Sequence, residues 1–119
     1  MFDLQNKKDR MYLTMGLSDL LIASIHIGVT EGTKSWDEVT FVGAEKPTYE
    51  VAVKVFTEYK AKMELADLRR VRNMLIAETD WWMLPDCKPT GAQIMYRQAL
   101  RDITNTYQSL DTVVWPIKP

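Results

Sequence analysis

The sequence predicts a mainly α fold: a long helix, a shorter helix antiparallel to it, an extended Pro-containing C-terminal tail, and a small α+β part at the N-terminus. Three observations carry this. No Gly or Pro interrupts residues 49–78. Thr90-Gly91-Ala92-Gln93 spells a helix-capping box. Near the N-terminus, Ile25, Ile27 and Val29 alternate as in a strand.

The first 45 residues mix polar patches, Gly, Thr and short apolar runs. Ser18 to Gly28 supports two readings. Leu17, Leu20, Leu21, Ser24, Ile25 and Gly28 follow helical spacing, with Ser18 or Asp19 as N-cap. The alternation of β-branched residues over Ile25–Val29 favours a strand instead. Glu31-Gly32-Thr33-Lys34 reads as a turn and Glu38 to Val42 as a second short strand. A helix followed by a small β element is the preferred reading.

Pro47 opens the long helix by forcing Lys46 into extended backbone. Thr48 is the N-cap, and Glu50 suits the positive end of the helix dipole. Ala52, Phe56, Tyr59, Met63 and Ala66 form one stripe; Leu65, Leu68, Val71 and Leu75 continue on an adjacent one. The helix is expected to run roughly 30 residues, hence ~45 Å. A small domain does not cover that length, so a homo-oligomer or an obligate complex is expected.

Thr79 to Pro89 is expected to be a loop, with Pro85 and Pro89 as breakers and Asp86 as turn former. The next helix carries Ile94, Ala99, Leu100 and Ile103 and fades at Thr104-Asn105. Pro116 and Pro119 then hold the tail extended. The chain thus divides into an N-terminal part, residues 1–45, and a helical domain, residues 46–119.

Composition narrows the function. With 46% hydrophobic and 26% charged residues, the 119-residue chain is globular rather than disordered. A formal net charge of −1 leaves no basic surplus to neutralise a phosphate backbone, so no nucleic acid is expected as partner. The run Arg69-Arg70-Val71-Arg72 is flanked by Glu64, Asp67 and Glu78 and reads as a solvated helix face. No apolar stretch approaches the ~20 residues of a membrane span, so no membrane association is expected. His26 and Cys87 are single representatives of their types, outside any nucleophile or metal motif. The five Gly, at 16, 28, 32, 43 and 91, build no phosphate loop. No catalytic residue, metal site or cofactor is expected. Four Trp in so short a chain favour a protein-binding surface, with a core position as the alternative for at least two of them.

Three ordered blocks carry a family resemblance. Arg72, Leu75 and Ile76 are followed by Thr79-Asp80-Trp81. Tyr96-Arg97-Gln98-Ala99-Leu100-Arg101-Asp102-Ile103 stands on the next helix. Trp115-Pro116-Ile117-Lys118-Pro119 closes the chain. Together with the Lys46-Pro47-Thr48 entry, these resemble the phage tail assembly chaperones, also known as tail fibre assembly proteins. The resemblance covers residues 46–119. Two departures are Gln93, where the family commonly has Trp, and Thr104, where it tends to have Pro. Residues 1–45 show no such likeness.

The resemblance implies a non-virion factor that binds a tail or tail-fibre subunit in the cytoplasm of the infected bacterium. The alternative is a structural tail, fibre or baseplate adaptor retained in the particle. Read physically, Trp81 is expected to be buried between the helices, leaving Trp82 and Met83 semi-exposed for a partner. Trp115 and Pro116 either dock back on the chain's own helices or enter a partner's groove, docking back being preferred. A polar clamp of Arg72, Asp80, Trp81, Tyr96, Arg97, Arg101 and Asp102 is expected to lock the helices, pairing Asp102 with Arg72, or with one of Arg69 and Arg70, and Asp80 with Arg101. A solvated charged face is the competing reading.

Overall fold

A computed structural model describes residues 1–21 and 26–119. Three helices dominate: α1 (Lys7–Leu21), α2 (Tyr49–Ala77) and α3 (Gly91–Thr106). A two-stranded antiparallel sheet, β1 (His26–Gly28) with β2 (Thr40–Val42), lies between α1 and α2 in sequence. The mainly α architecture with a small β element is therefore as predicted. Two compact units emerge, Met1–Lys60 and Ala61–Pro119, and α2 contributes residues to each.

In the first unit, α1 starts well before the expected Ser18. Asn6 is the cap: its Oδ1 accepts from the N–H groups of Lys8 (2.9 Å) and Asp9 (3.1 Å), and its carbonyl accepts from Arg10. Ser18 is interior, its hydroxyl donating back to the Thr14 carbonyl at 2.8 Å. The charged run Lys7–Arg10 conceals this start in the sequence, because the buried face of Tyr12, Leu13 and Leu17 appears only afterwards. Of the alternative helical stripe, Ser24 and Ile25 lie outside the described residues.

The sheet pairs His26 with Val42, Ile27 with Phe41 and Gly28 with Thr40. Between the strands, Thr30 and Thr33 close the turn reciprocally. The Thr33 N–H donates to the Thr30 carbonyl, and the Thr30 N–H to the Thr33 hydroxyl, both at 3.0 Å. A 3-10 turn, Trp36–Glu38, then delivers Trp36 to the core. The hub there is Phe2, whose ring lies 5.5 Å from Phe56, 5.6 Å from Tyr49 and 6.3 Å from Trp36. Lys46 covers Trp36, with Nζ 5.0 Å from the ring centroid and donating to the Trp36 carbonyl at 2.7 Å. Gly16 permits close approach of α1 to α2: a Cβ there would stand 2.9 Å from Val55 Cγ1 and 3.1 Å from Tyr59 Cβ.

Thr48 caps α2 as expected, its hydroxyl accepting from the Val51 N–H at 3.3 Å. The 29-residue helix matches the expected length. Ala52, Phe56 and Leu68 are buried, while Met63, Leu65, Val71 and Leu75 are partly so. Ala66 is exposed.

In the second unit, the loop after α2 contains an unforeseen 3-10 turn, Asp80–Met83. Both halves of the capping box form at α3: the Gln93 N–H donates to the Thr90 hydroxyl (3.2 Å) and the Thr90 N–H to the Gln93 side chain (2.9 Å). The inward face of α3 is Tyr96, Arg97, Leu100 and Ile103. Of the apolar residues read from the sequence, Leu100 and Ile103 are buried but Ile94 and Ala99 are exposed. Trp82, Tyr96 and Leu100 form the core of this unit, with Leu75, Ile76 and Trp115 packed against it.

Candidate functional site

The features with the greatest chemical content converge where α2 ends. A helix end leaves carbonyls without intrahelical donors, and here the Ile76 carbonyl receives three. The Thr79 N–H, the Thr79 hydroxyl and Arg97 NH1 each donate to it at 3.0 Å. Arg97 NH1 also donates to the Thr79 hydroxyl at 2.8 Å, and NH2 to Asp80 Oδ1 at 3.0 Å. A guanidinium from α3 thus caps α2, where the helix dipole favours a cation. Thr79 and Arg97 are both buried, and among the described residues Arg97 Nε has no hydrogen-bond partner.

This fixed terminus sets the direction of the following turn. The Trp82 N–H donates to the Thr79 carbonyl at 3.0 Å, and the Leu84 N–H to that of Trp81 at 3.2 Å. In a turn this tight, adjacent side chains cannot share one pocket. Trp82 enters the core at 5% exposure, and Trp81 faces outward at 58%. The expectation was the reverse. The correction follows from the 3-10 turn, which places Trp82 six ångströms from Tyr96 (6.0 Å between ring centroids) and Trp81 on its other side. The two indoles remain in edge contact, at 6.2 Å and 74°. Burial, and secondarily the Glu78 carboxylate, raise the Tyr96 phenol above its usual range.

The C-terminal tail docks back. Trp115 packs on the Trp82–Tyr96–Leu100 cluster, and Lys118 Nζ lies 5.8 Å over the Trp82 ring. Pro116 is half-buried, whereas Val114 and Ile117 face outward. Trp115 is consequently engaged within its own chain.

Of the residues assigned to a polar clamp, the structure brings together Asp80 and Arg97, with Tyr96 beside them on α3. It does not join Asp80 to Arg101, which is exposed. Asp102 accepts from Gln98 at 3.1 Å rather than from Arg69, Arg70 or Arg72. Arg72 donates to its neighbour Asn73 at 3.0 and 3.1 Å. Both expected pairings fail because Arg101 and Asp102 lie on the outward face of α3. Thr79 and the Ile76 carbonyl were not anticipated as partners. The spacing of Arg97 with Tyr96, Leu100 and Ile103 is the signal that points it inward.

His26 is exposed at the start of β1, and Cys87 is exposed in the turn closed by its N–H on the Leu84 carbonyl. Among the described residues, no group of three His, Cys, Asp or Glu could hold a metal ion, and no helix is long and apolar enough to cross a membrane. What the second unit offers is apolar surface on a rigid support. Trp81, Met83 and Leu84 are exposed on the turn, Met74 on α2, and Ile94 and Met95 on α3. Such surface fits protein binding.

Comparison with known proteins adds one match. Residues 65–119, the segment that contains this turn, α3 and the tail, match the family model described as phage tail assembly chaperone protein. The match starts later than the resemblance over residues 46–119, leaving residues 46–64 outside it. No curated protein and no solved structure matches the chain.

Proposed function

We propose that the protein is a phage tail assembly chaperone that holds a tail or tail-fibre subunit, covers its adhesive surface and promotes its oligomerisation. The match of residues 65–119 supports a tail-assembly role. The observation that carries the mode of action is the outward indole of Trp81, flanked by exposed Met83 and Leu84 on a turn fixed by Arg97. A large aromatic anchor on a rigid support contributes contact area with little ordering cost on binding. Trp81 takes the place first given to Trp82, and Met83 keeps its assignment. Trp115 and Pro116 serve by holding the tail in place.

The protein acts in the cytoplasm of the infected bacterium, as a homo-oligomer or in an obligate complex with its subunit. Exposed Met74, Ile94 and Met95 support such association. Co-expression with the tail proteins of the same phage tests the reading: one of them should co-purify, and Trp81→Ala should remove it. A peptide census of purified particles beside infected-cell lysate then decides between chaperone and adaptor. Abundance in lysate with absence from particles is expected. Stoichiometric presence in particles would establish the adaptor instead. Sedimentation of a monomer at high concentration, together with failure to bind any tail protein, would overturn the association.

A further inference from the structure

We propose that the surface around Trp81 receives an extended segment of the tail subunit that is both apolar and basic, with a lysine or arginine between apolar side chains. This rests on the chaperone reading and specifies the partner's chemistry.

Exposure and charge coincide in residues 78–86. Trp81, Met83 and Leu84 supply the apolar surface, and Glu78, Asp80 and Asp86 are exposed among them. No basic residue occurs in that stretch. Arg97, the cation bonded to it, is buried and directed to Asp80 Oδ1. The other Asp80 oxygen accepts no hydrogen bond among the described residues, and its side chain is mostly open to solvent. An exposed apolar stretch that carries three carboxylates attracts a cationic segment and disfavours an acidic one, or a phosphate backbone, by like-charge repulsion.

The aromatic pair already receives a cation within the molecule. Lys118 stands 5.8 Å over Trp82, while neighbouring Trp115 packs on the same cluster. The tail therefore places apolar residues and an ammonium together against one of the two indoles. Trp81, in edge contact with Trp82, offers a second indole that is open to solvent and follows Asp80 directly in the chain. A partner lysine there would combine an ion pair with a cation–π contact, while its flanking residues cover Met83 and Leu84.

The test uses the full chain, labelled with 15N, and the indole N–H signal of Trp81, identified by its loss in Trp81→Phe. The probes are two short capped peptides of the same apolar residues, one carrying lysines and the other glutamates at the same positions. The lysine peptide should shift the Trp81 signal, with affinity falling as salt rises. The double variant Glu78→Gln/Asp86→Asn, altered only at exposed sites, should weaken that binding roughly fivefold, as for two exposed ion pairs. Equal binding of the glutamate peptide, no effect of the double variant, or no shift at Trp81 with either peptide would overturn the inference. Co-expression separates this failure from that of the chaperone reading. If the double variant captures the tail subunit as well as the wild type while Trp81→Ala does not, the chaperone reading stands and the basic segment falls.

Discussion

Arg97 and Asp80 lie 3.0 Å apart, yet the arginine side chain is 6% exposed and the aspartate 65%. The pair is therefore asymmetric in energy. Arg97 loses three hydrogen bonds if truncated, leaving the Ile76 carbonyl with its two Thr79 donors alone. Asp80 remains solvated with or without its partner. Arg97→Met is expected to cost about 2–4 kcal/mol, and Asp80→Asn less than ~1 kcal/mol. Denaturant unfolding measures both. Equal losses would mean that the carboxylate, rather than the Ile76 and Thr79 oxygens, holds the guanidinium.

Leu100 is fully buried against Trp82 and Tyr96. Leu100→Ala should cost ~2–5 kcal/mol, the range for a core truncation that leaves a partial cavity. A loss below about half a kilocalorie, well under that range, would mean that this face of α3 is not packed as described.

The capping box predicts a graded response at the start of α3. Thr90→Ala removes the acceptor for the Gln93 N–H and should cost ~1 kcal/mol. Gln93→Ala removes only the reciprocal bond and should cost less. A larger loss from Gln93→Ala would reverse the assignment of the dominant cap.

Burial, and then Glu78, raise the Tyr96 phenol above its ordinary 10.0. The folded state thus holds that proton more tightly than the unfolded chain does. Its contribution is complete below the unfolded value and is lost as pH climbs through the folded one. Stability should decline above pH 10.0, and Tyr96→Phe should flatten that decline in alkaline unfolding series. An unchanged slope would assign the loss to another group.

Gly16 lies against Val55 and Tyr59 on α2. A valine there must displace a β-branched neighbour and the first side-chain carbon of Tyr59, so Gly16→Val should cost about 1–3 kcal/mol. Thermal unfolding would show the loss. A neutral result would show that the first unit accommodates the branch by shifting α1.

Elements whose signals are local were legible in the sequence. Pro47-Thr48, the uninterrupted stretch through Ala77, and Thr90 with Gln93 placed two of the three helices, since caps and breakers act within a few residues. What escaped notice depends on distant contacts. Phe2 is a core hub only because Trp36, Tyr49 and Phe56 surround it, and nothing in its polar neighbourhood declares that. Adjacent Trp81 and Trp82 are alike in composition and differ only in where a 3-10 turn aims them. Of the suspected clamp, Asp80 and Arg97 meet. Arg101 and Asp102 point outward, because α3 turns their positions away from the face that carries Tyr96 and Leu100.

Cys87 is the single thiol in the sequence, exposed on the turn that follows Trp81, Met83 and Leu84. Maleimide chemistry can therefore place one dye on the unsubstituted protein, within six residues of the outward indole. Indoles quench many such dyes on contact. Anything that settles over Trp81 would brighten or dim that label, so the chain carries its own attachment point for an optical reporter of occupancy.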